Sequence, residues 1–519
     1  MNMPKMNIVK LIILIIIVSV FLCTVTGCGE ETETAYPSVE VSSIGAMTGS
    51  TGEAFARKNF LDADIYAYDS IPDAVVALQA DRIDYVITAY TNALGFIRNN
   101  KDLEIVPGTL LNEGAAIAVN KNNPGLLKDI SAVLDRFKED GTLDDIIDRW
   151  IKEDGSEYQR MEIPVNQTGE VLSVGVAANR EPMCFIENGN VIGLDAELIE
   201  RIAYELGKRV EFMDMTFSAL IPALESGRVD VLISNITPTE ERKQVVNFTD
   251  TYFQNPQVLL RRVDTGVLSE QSDNLSFLEN LKVSIERNLI HENRWMMVLE
   301  GLQVSLIITI SAFTLATVAG FGVCGLRMSR NRILKSIGSI YINVLRGTPI
   351  VVLLMITFYI IFAGTSVSSI IVATIAFGAN GAAFIGEIIR SAILTVDKGQ
   401  VEAARSMGFS KIGAFFTVTF PQAVRVALPV YKSEFVSLFK MTSVVGYIAI
   451  VDLTKAGDII RSRTYDAFFP LIMVALIYLI IATLMIFLFD YINNATDKRS
   501  RSKRKNAKSI KASGKEVVV

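Results

Sequence analysis

Few residues in this chain have the type and spacing to make or break a covalent bond. The single histidine, His291, stands alone, and Cys23, Cys28, Cys184 and Cys324 are scattered without metal or disulfide spacing. No paired acids cluster, and no Gly-x4-Gly-Lys-Ser/Thr phosphate loop occurs, so the usual means of binding ATP is missing. No catalytic residue, metal or cofactor is expected. The sequence offers recognition chemistry instead. Arg242 closes the run Ser234-Asn235-Ile236-Thr237-Pro238-Thr239-Glu240-Glu241-Arg242. A planar guanidinium can donate two parallel hydrogen bonds to a carboxylate, which an ammonium cannot. Further on, Glu402, Ala403 and Ala404 precede Gly408. The first three favour a short helix, and the glycine permits a tight turn and close contact with a partner.

The elements that must position these residues fall into two unlike halves. With 519 residues the chain suggests several domains, and 50% apolar against 20% charged residues, with a mean hydropathy of +0.36, is too apolar for an ordinary soluble protein. Disorder, collagen and disulfide scaffolds are excluded by the same figures. The net charge of −6 conceals a split: residues 1–28 carry +2, residues 29–290 carry −21 and residues 291–519 carry +13. An acidic half in solution and a basic, apolar half in a membrane fit this division, and nucleic acid is not a partner.

Lys5 and Lys10 precede an apolar run from Leu11 to Cys23, too short for a comfortable membrane span of about 20 residues. The run ends in Val25-Thr26-Gly27-Cys28. This resembles a bacterial lipoprotein signal with Cys28 as the lipidated residue, although Val25 stands where that family usually has leucine. An uncleaved anchor is the alternative; both readings export the chain from residue 29 onward.

Residues 38–265 alternate short apolar strands with amphipathic helices, the pattern of α/β domains. Ala77–Ile87 and Ala223–Ile233 repeat one helix–turn–strand unit 146 residues apart. The segment Val171–Val176, Pro182, Phe185, Gly193-Leu194-Asp195 and the Ile236–Arg242 stretch together resemble the polar amino-acid family of periplasmic-type solute-binding proteins. The resemblance implies a two-lobed fold in which Arg242 grips a ligand carboxylate. It also implies that Thr237 and the backbone near Asn235 supply neutral bonds and that Phe217 forms an apolar wall. Ile44–Glu53, with Ser50 and Thr51, is similar to the strand-to-helix turn of the other lobe. The lobe that usually ends such proteins here precedes the one that begins them, which reads as a circular permutation; two truncated, independent lobes are the alternative. Two positions depart from the family: Ala89 replaces an acid that meets the ligand ammonium, and Arg180 replaces an aromatic cover. Either Arg180 faces the cleft as an added anion partner, or it points to solvent and another acid, Glu181 or Glu187, serves the ammonium.

In the second half, apolar runs cover 295–326 and about 337–362, 367–389, 429–450 and 467–489, each long enough to cross about 30 Å of hydrocarbon. Basic residues follow the first, third and fifth runs, which places the C-terminal tail in the cytoplasm and the acidic half outside. Lys432, Glu434 and Lys440 in or beside the fourth run must face protein or water. Glu402-Ala403-Ala404-x-x-x-Gly408 with Val418-x-Phe420-Pro421 resembles the coupling loop of ABC-transporter permeases. Leu345-Arg346-Gly347-Thr348-Pro349, Glu387-Ile-Ile-Arg390 and Lys440-x-Thr442-Ser443 resemble the polar amino-acid subfamily.

The expected organisation is a multidomain chain: signal peptide 1–28, binding lobes 38–155 and 169–265 joined by linker 156–168, an amphipathic segment 266–294, a five-span all-α permease 295–491 and a basic tail 492–519. The resemblance implies a bacterial-membrane importer subunit for amino-acid-like solutes, paired with a second permease copy and driven by a separate ABC ATPase dimer. A ligand-gated ion channel is the competing reading, because Thr442-Ser443-Val444-Val445-Gly446-Tyr447 echoes a filter sequence without its final glycine.

Overall fold

The computed structural model describes residues 41–151, 158–263, 277–365, 367–466 and 468–496. Residues 1–28, Cys28 and the tail beyond 496 lie outside these. The α/β half has two lobes. In lobe I the parallel strands Asp64–Tyr68, Ser43–Met47 and Tyr85–Ala89 lie side by side, continued by antiparallel Gln257–Arg262 and then Leu103–Ile105. Apolar helices such as Ile71–Gln79, capped by Ser70 with Pro72 in the first turn, cross between parallel neighbours. Lobe II orders Arg209–Asp214, Val171–Val176, Val231–Ile236, Gly114–Asn120 and Val246–Phe248.

The sheets therefore divide the chain differently from the expected 38–155 and 169–265. Gly114–Asn120, with helices Pro124–Glu139 and Thr142–Trp150, packs in lobe II, and Gln257–Arg262 completes lobe I. A buried ion pair fixes the exchange: Arg149 Nη1 donates to Glu197 Oε2 at 2.9 Å and Trp150 Nε1 to the same oxygen at 2.7 Å, tying the Thr142–Trp150 helix to Leu194–Glu205. The chain crosses between lobes twice, around Val106–Glu113 and Gln254–Gln257. These crossings bond to each other through Asn255 N to Glu113 O and Gln257 N to Leu111 O, both 2.8 Å. They form a two-stranded hinge. The internal repeat is real in three dimensions: each copy is a helix end, a turn with a left-handed residue (Asp81, φ 52°; Gly227, φ 70°) and a buried strand.

Among the described residues the helical half has four helices long and apolar enough to cross a membrane, or five spans if one bent pair counts as one. Arg294–Met328 lies along Ser369–Leu394, and Lys411–Ile448 and Phe469–Thr496 complete the bundle. The second expected span is the exception. Arg332–Gly347 and Ile350–Ile361 meet at 107°, broken at Gly347-Thr348-Pro349, where proline cannot donate the next helical bond. Lys432 donates to Asp490 at 2.6 Å, so this intramembrane cation faces a protein partner.

Candidate functional site

The strand Ser43–Met47 delivers the chain to a turn that starts helix Thr51–Asn59 at the edge of lobe I. Ser50 Oγ caps that helix by accepting from Glu53 N at 3.1 Å, while the Glu53 carboxylate accepts from Gly49 N at 2.8 Å. Opposite, lobe II presents Arg180, the Phe217–Ala219 turn and the end of strand Val231–Ile236. All seven residues expected from sequence, Ser50, Thr51, Arg180, Phe217, Asn235, Thr237 and Arg242, line one interlobe cleft. Only ≈ 30 Å³ of free space remains there, room for one or two waters. The lobes are closed over the cleft, and a solute larger than that space enters only if they part about the hinge.

Arg242 crosses between lobes: Nη1 donates to Thr237 O at 2.9 Å and Nη2 to Gly49 O at 2.8 Å. Arg180 is 6% exposed, so it does not point to solvent. Its Nη2 donates to Ser234 O at 2.6 Å and its Nε has no hydrogen-bond partner among the described residues. The Phe217 ring contacts both cations, 4.8 Å from the Arg180 guanidinium and 5.6 Å from that of Arg242. Burial lowers the affinity of both guanidinia for the proton. Asn235 adopts a left-handed φ of 46°, which turns its N–H onto Asp195 Oδ2 at 2.9 Å. Tyr252 donates to Asp195 Oδ1 at 2.6 Å. Burial nevertheless pushes the Asp195 carboxyl up to about 7, against the Tyr252 bond and the Arg180 charge.

Sequence reasoning missed the centre of the cleft. Glu113, 7% exposed and set in the hinge, accepts three bonds on Oε2: from Thr51 Oγ1 at 2.7 Å, Thr237 Oγ1 at 3.1 Å and Gln257 Nε2 at 3.0 Å. Lobe I, lobe II and the hinge thus converge on one carboxylate. The acids named from sequence are elsewhere: Glu181 and Glu187 both bind Arg463, at 2.7 and 2.9 Å. Ala89 does line the cleft, beside Thr88 and Asn92. Among the described residues no group of His, Cys, Asp or Glu could hold a metal ion.

Comparison with known proteins fits this geometry. The family model of bacterial extracellular solute-binding proteins, family 3, matches residues 172–458, more than half of the chain. The chain belongs to that family. A 230-residue stretch is also 33% identical to the L-cystine transport system permease protein TcyB of Bacillus subtilis (strain 168), covering 43% of this chain and 97% of that protein. The probable amino-acid ABC transporter permease protein YckA of the same strain is 36% identical over 182 residues, 35% of this chain and 80% of YckA. A solved structure titled as an amino acid ABC transporter with histidines is 31% identical, covers 43% of this chain and 99% of its own, and has a TM-score of 0.37. A solute-binding protein and an amino-acid-type ABC permease are fused in one polypeptide.

The binding protein and the permease meet through chemistry that no sequence motif announced. Helix Leu453–Thr464, between the last two long helices, carries Lys455, Arg461 and Arg463. Lys455 pairs with Asp214 of lobe II at 3.1 Å, Arg461 with Asp73 of lobe I at 2.7 Å, and Arg463 with the lobe II acids above. Arg228, in the second copy of the repeat, reaches the permease. It donates to Thr365 O at 2.7 Å and Val367 O at 3.1 Å, over the Phe358 ring at 4.1 Å. At the other end of the 26-residue helix Ser369–Leu394 lies Lys398–Ser406, with Glu402 and Ala403 exposed, Ala404 buried and Gly408 at φ 93°. Thr442–Ile448 is a 3-10 turn whose Tyr447 hydroxyl donates to Asp69 at 2.7 Å. That is no re-entrant filter loop.

Proposed function

We propose that this chain is the capture and translocation subunit of an ABC importer for polar amino acids or related small solutes. Two copies would supply the two halves of the pathway, and a separate ATPase dimer would drive them through Glu402–Gly408. The binding half would lie outside a bacterial membrane, held there by a lipid on Cys28, with the basic tail in the cytoplasm. A single observation carries this reading: seven residues expected to recognise a ligand, drawn from both lobes, converge on one interlobe cleft, and a permease helix is ion-paired to Asp73 of lobe I. The names of the permease relatives, for cystine and other amino acids, support the solute class. One circularly permuted binding domain is supported by the paired hinge strands and by lobe I strands lying ahead of the matched span.

The purified full chain should be stabilised by at least one polar amino acid, since a ligand at a hundred times its Kd adds about 2.7 kcal/mol to the folded state. A thermal-unfolding screen of the common amino acids against the whole protein tests this. No shift with any of them would remove the proposal.

A further inference from the structure

We propose that the cleft selects an amino acid carrying a second anionic group, with its α-carboxylate on Arg242, its ammonium on Glu113 and its second anion on Arg180. The inference rests on the amino-acid reading above and names its substrate class. Three charged side chains line the cleft, two cationic and one anionic. A zwitterion leaves one cation uncompensated, and an uncompensated buried charge is costly. A ligand of net charge −1 neutralises the set.

The positions of the three groups agree with that count. Glu113 receives all three of its bonds on Oε2, which leaves Oε1 for an ammonium. Among the described residues Arg180 makes no ion pair; its hydrogen bonds go to the neutral oxygens of Ser234, and its buried Nε has no hydrogen-bond partner. Asp195, the carboxyl behind it, is already engaged by Tyr252 and by the Asn235 N–H. Phe217 contacts both guanidinia and offers a flat wall to a short aliphatic chain running from one anion site to the other.

Binding calorimetry on the full chain in detergent tests this with pairs that differ only in the second charge: glutamate against glutamine and aspartate against asparagine, with cysteate as a sulfonate. At least one acid should bind about ten- to a hundredfold more tightly than its amide, the range for bonds to a charged group. Arg180→Gln should cost the acid at least about tenfold more affinity than it costs the amide, with a retained cooperative unfolding transition showing that the variant folds. Arg180→Lys should retain part of the preference. Glu113→Gln should weaken the amino acid but not glutarate, which lacks the ammonium. An amide bound as tightly as its acid, or an Arg180→Gln variant that loses both equally, would overturn the proposal and assign Arg180 to Asp195. Failure of every acid and amide to bind would instead remove the amino-acid reading beneath it.

Discussion

Arg461 holds Asp73 at 2.7 Å, an ion pair that connects the permease to lobe I of the binding protein. Two residues further along the same helix, Arg463 holds Glu181 of lobe II at 2.7 Å. One rigid helix therefore grips both lobes in their closed arrangement. If the lobes part, at least one grip must break, so the helix biases the cleft toward closure. Arg461→Ala should lower apparent ligand affinity in the full chain by about two- to tenfold, the scale of a partly exposed ion pair. Combining Arg461→Asp with Asp73→Arg should restore it. Titration of ligand into the three proteins decides the matter, and an unchanged affinity in Arg461→Ala would mean the helix does not sense closure.

Tyr465 ends that helix with a left-handed φ of 50° and drives its ring into lobe I, edge-on to Phe96 at 4.9 Å. It fits because residue 95 is glycine: a Cβ there would collide with the phenol oxygen and lie 2.7 Å from Cζ. Gly95→Ala should destabilise the docked state by about 1–3 kcal/mol, the usual cost of overpacking. Adding Tyr465→Ala should remove the collision, so the double variant should cost less than the sum of its parts. Unfolding of the four-member cycle checks this; strict additivity would show that the two residues do not meet.

Much of the cleft was legible because its residues sit in short local motifs. Ser50 and Thr51 open a capped helix, and Asn235, Thr237 and Arg242 fall within nine residues. Glu113 and Gln257 were not legible, since each lies in a hinge crossing and acquires meaning only when the other crossing lies beside it. The lobe boundary failed for a related reason. Gly114–Asn120 is an apolar strand that would suit either sheet, and its partner Val231–Ile236 is more than a hundred residues away. The docking cations Lys455, Arg461 and Arg463 carry no sequence signal of their role, because their acids are distributed over both lobes. The break in the second span was signalled by Gly347-Thr348-Pro349, but the length of the apolar run obscured it.

Asp195 gives the binding protein a pH dependence of definite sign. Its carboxyl is raised from 3.8 to about 7 by burial, so between these values the folded chain keeps a proton that the unfolded chain has lost. Stability should therefore fall as pH rises through that window, by up to about 1.4 kcal/mol per pH unit. Below about pH 4 both states hold the proton, and above about 7 both have lost it, so this contribution is then flat. Asp195→Asn should flatten the slope while preserving the partner positions of Tyr252 and Asn235. Denaturant midpoints of the full chain and this variant from pH 4.5 to 7.5 supply the test; parallel slopes would assign the pH dependence to other groups.

Gly408 follows a helix whose exposed Glu402 and Ala403 lie at the far end of Ser369–Leu394 from the docked binding protein. At 1.5 Å per residue that helix spans about 39 Å, so a change at Gly408 is remote from the cleft. The glycine sits at φ 93° with nothing within 4 Å of where a Cβ would be. Gly408→Val therefore meets backbone strain rather than collision, and a β-branched residue in this region costs about 1–3 kcal/mol. The turn relaxes by re-aiming Met407 and Phe409, two exposed apolar side chains that flank it and suit a partner's groove. Ligand affinity should be unchanged, because neither the hinge nor the cleft is touched. Substrate-stimulated uptake in vesicles should fall at least about tenfold, a loss of about 1.4 kcal/mol in coupling, with the ATPase either detached or hydrolysing ATP without regard to substrate. Uptake, ATP hydrolysis and ligand binding measured on the same preparation separate these outcomes. Normal stimulated uptake in Gly408→Val would mean that the energy of ATP reaches the permease through another segment.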